Sequence, residues 1–343
     1  MLISVQALRA LAAWVVVFHH VMQVFFDFDT DTWLGHMLST RGQMGVDIFF
    51  IISGFVIYIT TRDRNIGSAR FLWNRVARVA PAYWLCTLIT ALMIWLGHGL
   101  MPVYGVDWQS LLMSLAFIPH ENPGDFGYYP VLPVGWTLNF EMLFYSLFAL
   151  ACTLPSRFRA VTVTLLVVVV SPVLALNTPL SSFYANPVIY EFLLGIGVGI
   201  LYSRGWLNPT GRCWPALLVA LGAFAFMLFF PDRHPWRLLV WGLPAALLVA
   251  ALICTEPLFK GHYWLKRLGD QSYSVYLIHI IILWTGHRVL YEHYGWDLFA
   301  TLIPCMALIV LLSWASFEWI ETRLSHWLKQ LAGASGFSRS QTR

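Results

Sequence analysis

Charged residues are scarce in this chain. Asp, Glu, Lys and Arg make up 11% of its 343 residues, whereas a typical soluble domain carries about 25%. Hydrophobic residues reach 59%, and the mean hydropathy is +0.67. This composition excludes a soluble enzyme and predicts an all-α, polytopic integral membrane protein. We expect no nucleic-acid partner.

Cysteine is also rare, and none of the five cysteines falls in a predicted exterior loop. Their spacing matches no metal-ligand pattern, so neither a disulfide nor a metal site is expected. The first apolar run lacks a basic segment before it and a small-residue cleavage site after it. We therefore expect this run to be a retained helix and not a signal peptide.

The apolar segments predict about ten transmembrane helices within a single domain, residues 1–330, followed by a disordered cytoplasmic tail, 331–343. With both termini in the cytoplasm, nearly all Lys and Arg residues fall on the inner side, as the positive-inside rule requires. The exceptions are Arg41, Arg233, Arg237 and Arg288. The predicted spans are about 5–26, 43–61, 81–97, 137–154, 160–177, 187–203, 213–230, 236–254, 271–291 and 298–317.

The first span carries Arg9 near its start and His20 in its middle. At ~100° and ~1.5 Å per residue, the two side chains share one helix face about 16 Å apart. Titratable groups at that depth are costly and usually face a polar cavity or a substrate path. A histidine that is simply hydrogen-bonded between packed helices is the structural alternative.

The second span contains Asp47 near its outer end and Ser53 near its middle. We interpret both as candidate pocket residues. Because Asp47 stands close to the start of the span, an N-cap role is the structural alternative.

The most basic segment precedes the third span, which we expect to begin at Pro81. Arg75 and Arg78 are three residues apart and share the face of a short helix. A guanidinium fork binds phosphate through paired charge-assisted hydrogen bonds. These two residues are therefore candidate phosphate ligands, with anchoring to anionic lipid as the alternative.

The fourth span opens with Trp136, followed by Glu141 and Tyr145, which share a helix face. A carboxylate inside a span costs about 2.5–3.5 kcal/mol, so a functional or charge-pairing role is expected. The preceding segment, 98–135, mixes aromatic and polar residues. That mixture suits a carbohydrate, although interfacial aromatic belts look similar.

The ninth span begins after Asp270, a plausible N-cap, and carries Tyr273 and His279. His279 lies about 12 Å from the cytoplasmic edge, a depth similar to those of Ser53 and His20. These three residues are expected to form one polar layer within the membrane.

These stretches resemble acyltransferase family 3, the membrane O-acyltransferases, and in particular its bacterial exopolysaccharide and Nod-factor O-acetyltransferases. The resemblance is carried by Arg9 with His20, residues 45–55, residues 75–84, residues 136–145 and residues 272–279, in family order. In two places the chain departs from the family pattern, with Asn74 before Arg75 and Met142 after Glu141.

The resemblance implies that acetyl-CoA donates an acetyl group to a sugar hydroxyl of a polysaccharide or lipid-linked precursor at the bacterial inner membrane. His20 would be the general base or a covalent acyl carrier, Arg9 would position the thioester, and Arg75 and Arg78 would hold CoA phosphates. Glu141 would orient a reacting group, with Tyr145 and His279 completing the pocket. From the residues alone, a proton-coupled transporter of a polysaccharide precursor remains the alternative. The acceptor, the acyl group and the oligomeric state stay open.

Overall fold

The computed structural model describes residues 2–97, 99–101, 105–208, 213–230 and 236–334. Over these residues the secondary structure is helical, without any β-strand. Seven continuous helical segments of the described residues are long and apolar enough to cross a membrane, and some of them join two or more of the helices named below. The segments Trp214–Phe229 and Leu238–Cys254 are shorter and apolar. Between its ends a helix satisfies its backbone hydrogen bonds internally, which a lipid-exposed chain requires. The all-α, multi-pass prediction is confirmed, while the count of ten spans and their orientation stay predictions.

Sixteen α-helices are seen in the described residues. In chain order they are α1 (Ile3–Phe26), α2 (Trp33–Arg41), α3 (Met44–Thr61), α4 (Ser68–Trp95), α5 (Trp108–Leu115), α6 (Trp136–Ala151), α7 (Ser156–Asn177), α8 (Ser181–Tyr184), α9 (Glu191–Ser203), α10 (Trp214–Phe229), α11 (Leu243–Cys254), α12 (Glu256–Phe259), α13 (Tyr263–Asp270), α14 (Ser272–Gly286), α15 (Leu298–Ser316) and α16 (Ser325–Ala334). Segments of π-helix, Leu238–Gly242, His287–His293 and Phe317–Leu324, adjoin α11, α14 and α15.

The chain forms two compact units. The first comprises Met1–Arg64 with Ala160–Tyr276, and the second comprises Asn65–Arg159 with Leu277–Arg343. Both α7 and α14 contribute residues to each unit. The predicted single domain, 1–330, stays a prediction.

The core of the first unit is built where α3 meets α9. A Cβ on Gly54 would lie 2.1 Å from the carbonyl oxygen of Phe192, and one on Gly195 would lie 2.1 Å from that of Ile51. Only glycine permits so close an approach of two helix backbones, which is the small-residue packing expected between membrane helices. The close contact fixes α3, on which Asp47 and Ser53 lie.

In the second unit, α4 packs against α5, α6 and α16. Aromatic side chains fill these contacts: the Phe71 and Phe148 rings are 4.9 Å apart, and Tyr83 stacks on Phe117 at 4.7 Å. Offset aromatic pairs at such distances stabilise the packing beyond the area that they bury. Helix α4 is therefore the helix against which the other three pack.

Two predicted boundaries need correction. Pro81 does not start the third span, because α4 is continuous from Ser68 to Trp95 with Pro81 inside it. Neighbouring helices in a membrane protein can satisfy the backbone groups that an internal proline frees. The predicted tail, 331–343, begins within α16, which continues to Ala334; residues 335–343 lie outside the described part.

The basic residues predicted on the outer side are held by internal contacts where they are described. Arg41 is buried and donates from Nε to the carbonyl oxygen of Leu228 at 2.9 Å. Arg288 pairs with Glu292 one helical turn further on, and Arg233 lies outside the described residues.

Candidate active site

The predicted site residues divide between the two units. The first unit holds Arg9, His20, Asp47, Ser53 and Tyr273, and the second holds Arg75, Arg78, Trp136, Glu141, Tyr145 and His279. Within each unit the structure gives the partners of several of these side chains. That the two sets form one pocket, with His20, Ser53 and His279 in one layer, stays a prediction.

The start of α1 is fixed by a carboxylate distant in sequence. Glu256 accepts hydrogen bonds from the backbone N–H groups of Ile3 and Ser4 at 2.8 and 2.9 Å, and from the Ser4 hydroxyl at 2.6 Å. The first N–H groups of a helix lack intrahelical acceptors and carry partial positive charge, so an anion there is stabilising. Glu256 thereby anchors the helix that carries Arg9 and His20.

Arg9 is buried and tied to a short polar chain. Its Nη1 donates to Oε1 of Gln6 at 3.0 Å, and the Gln6 amide donates in turn to the carboxylate of Asp270. The same carboxylate accepts from Lys266 at 2.7 Å. The guanidinium is therefore positioned by residues of both α1 and α13.

The predicted N-cap role of Asp270 is wrong. Asp270 is the last residue of α13, and its side chain binds Gln6 and Lys266. Sequence reasoning also missed Gln6, although a glutamine three residues before Arg9 in an apolar run was a usable signal. At this position α13 lies against α1, because a Cβ on Gly269 would be 2.1 Å from the Gln6 carbonyl oxygen.

His20 is half-buried, and its Nδ1 lies 2.9 Å from the carbonyl oxygen of Val16. A carbonyl oxygen can only accept, so Nδ1 carries the hydrogen and the neutral ring has its lone pair on Nε2. His19 is engaged differently, since its Nδ1 reaches the carbonyl oxygen of Leu38 at the end of α2. Of the two adjacent histidines, His20 is bound to its own helix and His19 to a neighbouring one.

Asp47 forms a two-point ion pair with Arg237. Nε of Arg237 lies 3.0 Å from Oδ1, and the terminal nitrogen lies 2.7 Å from Oδ2. The Asp47 side chain is fully buried, and the guanidinium also lies over the Trp241 ring at 5.0 Å. The alternative of an N-cap is therefore wrong: α3 begins at Met44, and the carboxylate binds an arginine 190 residues away.

In the second unit Glu141, Tyr145 and Arg75 come together. The Tyr145 hydroxyl donates to Oε1 of Glu141, and the Arg75 guanidinium lies 5.9 Å from the centre of the Tyr145 ring and 5.4 Å from that of Phe71. The charge of Glu141 attracts that of Arg75. Two motifs that sequence reasoning treated separately, residues 75–84 and 136–145, thus share one cluster.

The remaining predicted pocket residues occupy defined positions on their helices. Ser53 is half-buried on α3, Tyr273 is half-buried in the first turn of α14, and His279 is fully buried further along α14. Trp136 begins α6 and makes an edge-to-face contact with Phe140, with ring centres 6.1 Å apart.

A short helix, α5, lies in the segment before α6. Asp107 caps it, accepting from the Ser110 backbone N–H at 2.6 Å, and that hydrogen bond lowers the pKa of the Asp107 carboxyl. Trp84 of α4 donates to the carbonyl oxygen of Leu115 at 2.8 Å. At eight residues, α5 is too short to cross a bilayer.

Curated relatives share most of this chain. It is 34% identical over 245 residues to the exopolysaccharide production protein ExoZ of Rhizobium meliloti (strain 1021). The aligned region covers 70% of this chain and 76% of ExoZ. It is 28% identical over 327 residues to the acyltransferase MdmB of Streptomyces mycarofaciens, covering 85% of this chain and 82% of MdmB. No solved structure matches it.

A third relative is longer than this chain. YrhL of Bacillus subtilis (strain 168), named as a candidate peptidoglycan O-acetyltransferase, is 26% identical over 360 residues, covering 93% of this chain and 54% of YrhL. The family model of the acyltransferase domain matches residues 2–318, which include every predicted site residue. The chain therefore belongs to acyltransferase family 3 and is a membrane acyltransferase.

Proposed function

We propose that this protein is an O-acetyltransferase with ten membrane spans in the bacterial inner membrane and both termini in the cytoplasm. It moves an acetyl group from cytoplasmic acetyl-CoA to a hydroxyl of a cell-surface polysaccharide, an exopolysaccharide or O-antigen, or of its lipid-linked precursor. No metal takes part. Family membership favours this activity over the transport alternative, and the relatives named for exopolysaccharide production and O-acetylation support the acceptor class.

The observation that carries the mechanism is the hydrogen bond from His20 Nδ1 to the carbonyl oxygen of Val16. With the hydrogen on Nδ1, Nε2 is the basic nitrogen of the neutral ring, and it takes the proton of an attacking sugar hydroxyl, as a general base does. The oxygen attacks the thioester carbonyl, the carbon–sulfur bond breaks, and the CoA thiolate leaves and is protonated. Transfer through an acetyl group carried on His20 uses the same atom as nucleophile.

Arg9 is the proposed electrostatic partner of the thioester. Its guanidinium is buried and held by Gln6, so it needs little rearrangement when negative charge develops on the carbonyl oxygen. A donor that is already oriented toward the developing charge is worth most in a site that excludes water.

The pocket residues have distinct proposed roles. Arg75 and Arg78 hold phosphates of the donor, Glu141 orients a reacting hydroxyl or imidazole, and Tyr145 orients Glu141. Ser53 and Tyr273 of the first unit, and Trp136 and His279 of the second, are the other proposed pocket residues. Asp47 keeps α3 in place through Arg237.

The test is NMR of surface polysaccharide from a deletion strain complemented with wild type, His20→Ala, Arg9→Ala or His36→Ala. His36 is an exposed histidine on α2 and serves as the matched control. We expect acetylation to fall by about 10²–10⁴-fold in His20→Ala, the usual contribution of a general base, and to be lost in Arg9→Ala. His36→Ala should acetylate normally.

All variants must reach wild-type levels in the membrane. Normal acetylation in a well-expressed His20→Ala would refute the assigned mechanism. If the deletion strain makes much less polymer, and the polymer that it does make carries a normal amount of acetyl groups, the assigned reaction is refuted.

A further inference from the structure

A third cationic side chain joins Arg75 and Arg78. Helix α16 packs against α4, and Nε1 of Trp73 donates to the carbonyl oxygen of Leu328 at 3.3 Å. This contact fixes the residue that follows, Lys329, beside the basic face of α4. Lys329 is half-buried, and its charge interacts with those of Arg78 and Arg75.

The three cations repel one another. Arg75 interacts with Arg78 as well as with Lys329, and all three side chains are at least partly withdrawn from solvent, which weakens the screening of like charges. The Glu141 carboxylate offsets part of this charge, but positive charge stays in excess among Arg75, Arg78, Lys329 and Glu141, and an added anion would offset that excess. The arrangement is therefore suited to a multiply charged anion.

Phosphate is the anion that best fits this set of donors. The planar forks of Arg75 and Arg78 can each offer two parallel N–H groups to phosphate oxygens, and a lysine adds a compact point charge with three donors. Lysine and arginine together match a group that carries several oxygens and more than one negative charge.

We infer that Lys329 completes a phosphate-binding site with Arg75 and Arg78, so that α16 contributes directly to ligand binding. Under the proposed function, on which this assignment of the ligand rests, the phosphates are those of the acyl donor. The head group of an anionic phospholipid offers the same chemistry and would compete for the same three side chains.

The experiment measures equilibrium binding to the full-length protein in nanodiscs of neutral lipid. The probes are CoA and a short-chain phosphatidylglycerol, and the variants are Lys329→Ala, Lys329→Arg and Lys260→Ala. Lys260, an exposed lysine in the loop before α13, is the matched control. A charge-assisted hydrogen bond contributes about 1.5–3 kcal/mol, so Lys329→Ala should weaken CoA binding by about tenfold or more. Lys329→Arg should restore most of that affinity, and Lys260→Ala should change nothing.

A second readout separates charge from packing. The purified enzyme is assayed with acetyl-CoA and with acetyl-pantetheine, which lacks phosphates. If Lys329 holds phosphate, Lys329→Ala raises KM for acetyl-CoA about tenfold and leaves acetyl-pantetheine kinetics unchanged. An equal effect on both donors would overturn the proposal, because it would show a structural role.

The two sources of phosphate give different outcomes. If Lys329→Ala weakens the binding of phosphatidylglycerol but not that of CoA, the phosphate site is supported and CoA is excluded as its ligand. Failure of wild type to bind CoA, with phosphatidylglycerol binding still sensitive to Lys329→Ala, would count against the proposed donor and not against the site. Insensitivity of both probes to Lys329→Ala would overturn the site itself.

Discussion

The pair Asp47–Arg237 and the group Arg75, Arg78 and Lys329 both place charge inside the protein, but they differ in charge balance. In the pair, one carboxylate meets one guanidinium at 2.7 and 3.0 Å, and both side chains are buried. In the group, cations gather beside one another and remain partly accessible. A balanced, sealed pair is suited to holding helices together, whereas an unbalanced, accessible group is suited to binding an anion.

The comparison is tested most severely by removing one partner of the balanced pair. Asp47→Ala leaves Arg237 buried without its carboxylate, and we expect a loss of about 3–5 kcal/mol in stability. The double variant Asp47→Leu with Arg237→Met removes both charges at similar volume and should recover most of that stability. Thermal unfolding of the purified protein in detergent measures both effects.

The double variant is also the functional control. If Asp47 acts only through Arg237, the stable double variant keeps acetyl transfer near the wild-type rate. A double variant that folds but transfers no acetyl group would instead place the Asp47 carboxylate in the pocket, as the sequence first suggested.

The unbalanced group should respond in the opposite way. Arg78→Ala removes one of three mutually repelling charges, so we expect no loss of stability and a gain of no more than about 0.5 kcal/mol. Affinity for CoA should fall by about tenfold, because one charge-assisted contact to phosphate is lost. Parallel measurements of melting temperature and CoA binding check both parts.

Arg78→Lys sharpens this prediction. It keeps the charge but loses the planar fork, so only part of the lost affinity should return. Strong destabilisation by Arg78→Ala would contradict the distinction between the two groups, since it would show that Arg78 holds the fold and not a ligand.

Local features were predictable from the sequence, and long-range pairings were not. The span of α1 and the shared face of Arg9 and His20 follow from helical periodicity, and α1 is observed at Ile3–Phe26. The proximity of Glu141 and Tyr145 follows from their spacing of four residues. The shared helix face of the proposed general base and of Arg9 can therefore be predicted from one stretch of sequence.

The partners of these residues come from elsewhere in the chain. Asp47 and Arg237 are separated by 190 residues, and Gln6 and Asp270 by 264. Nothing in the local pattern of Asp47 distinguishes an ion pair from an N-cap, because both place an acidic residue in the first turn of a helix. The position of Lys329 beside α4 likewise depends on packing of α16, so its charge was assigned only to the positive-inside pattern.

The smallest expected effect concerns the carboxylate next to the basic group. Tyr145→Phe keeps the ring beside Arg75 and removes only the hydroxyl that donates to Glu141. A hydrogen bond contributes about 1 kcal/mol net, so we expect kcat to fall about fivefold while KM for acetyl-CoA stays unchanged. Steady-state kinetics with the purified enzyme separate the two constants, and Glu141→Gln provides the comparison in which charge and orientation are both altered.

Separate measurement of kcat and KM is needed because Glu141 can act in two ways. If it only balances the charge of Arg75, then the orientation supplied by Tyr145 is irrelevant and Tyr145→Phe leaves kcat unchanged. If it orients a reacting group, the hydroxyl that holds it contributes to the rate although it touches no donor phosphate. A rise in KM for acetyl-CoA with constant kcat would contradict both readings. It would show that the Tyr145 hydroxyl, a neutral group, binds the donor together with Arg75, Arg78 and Lys329.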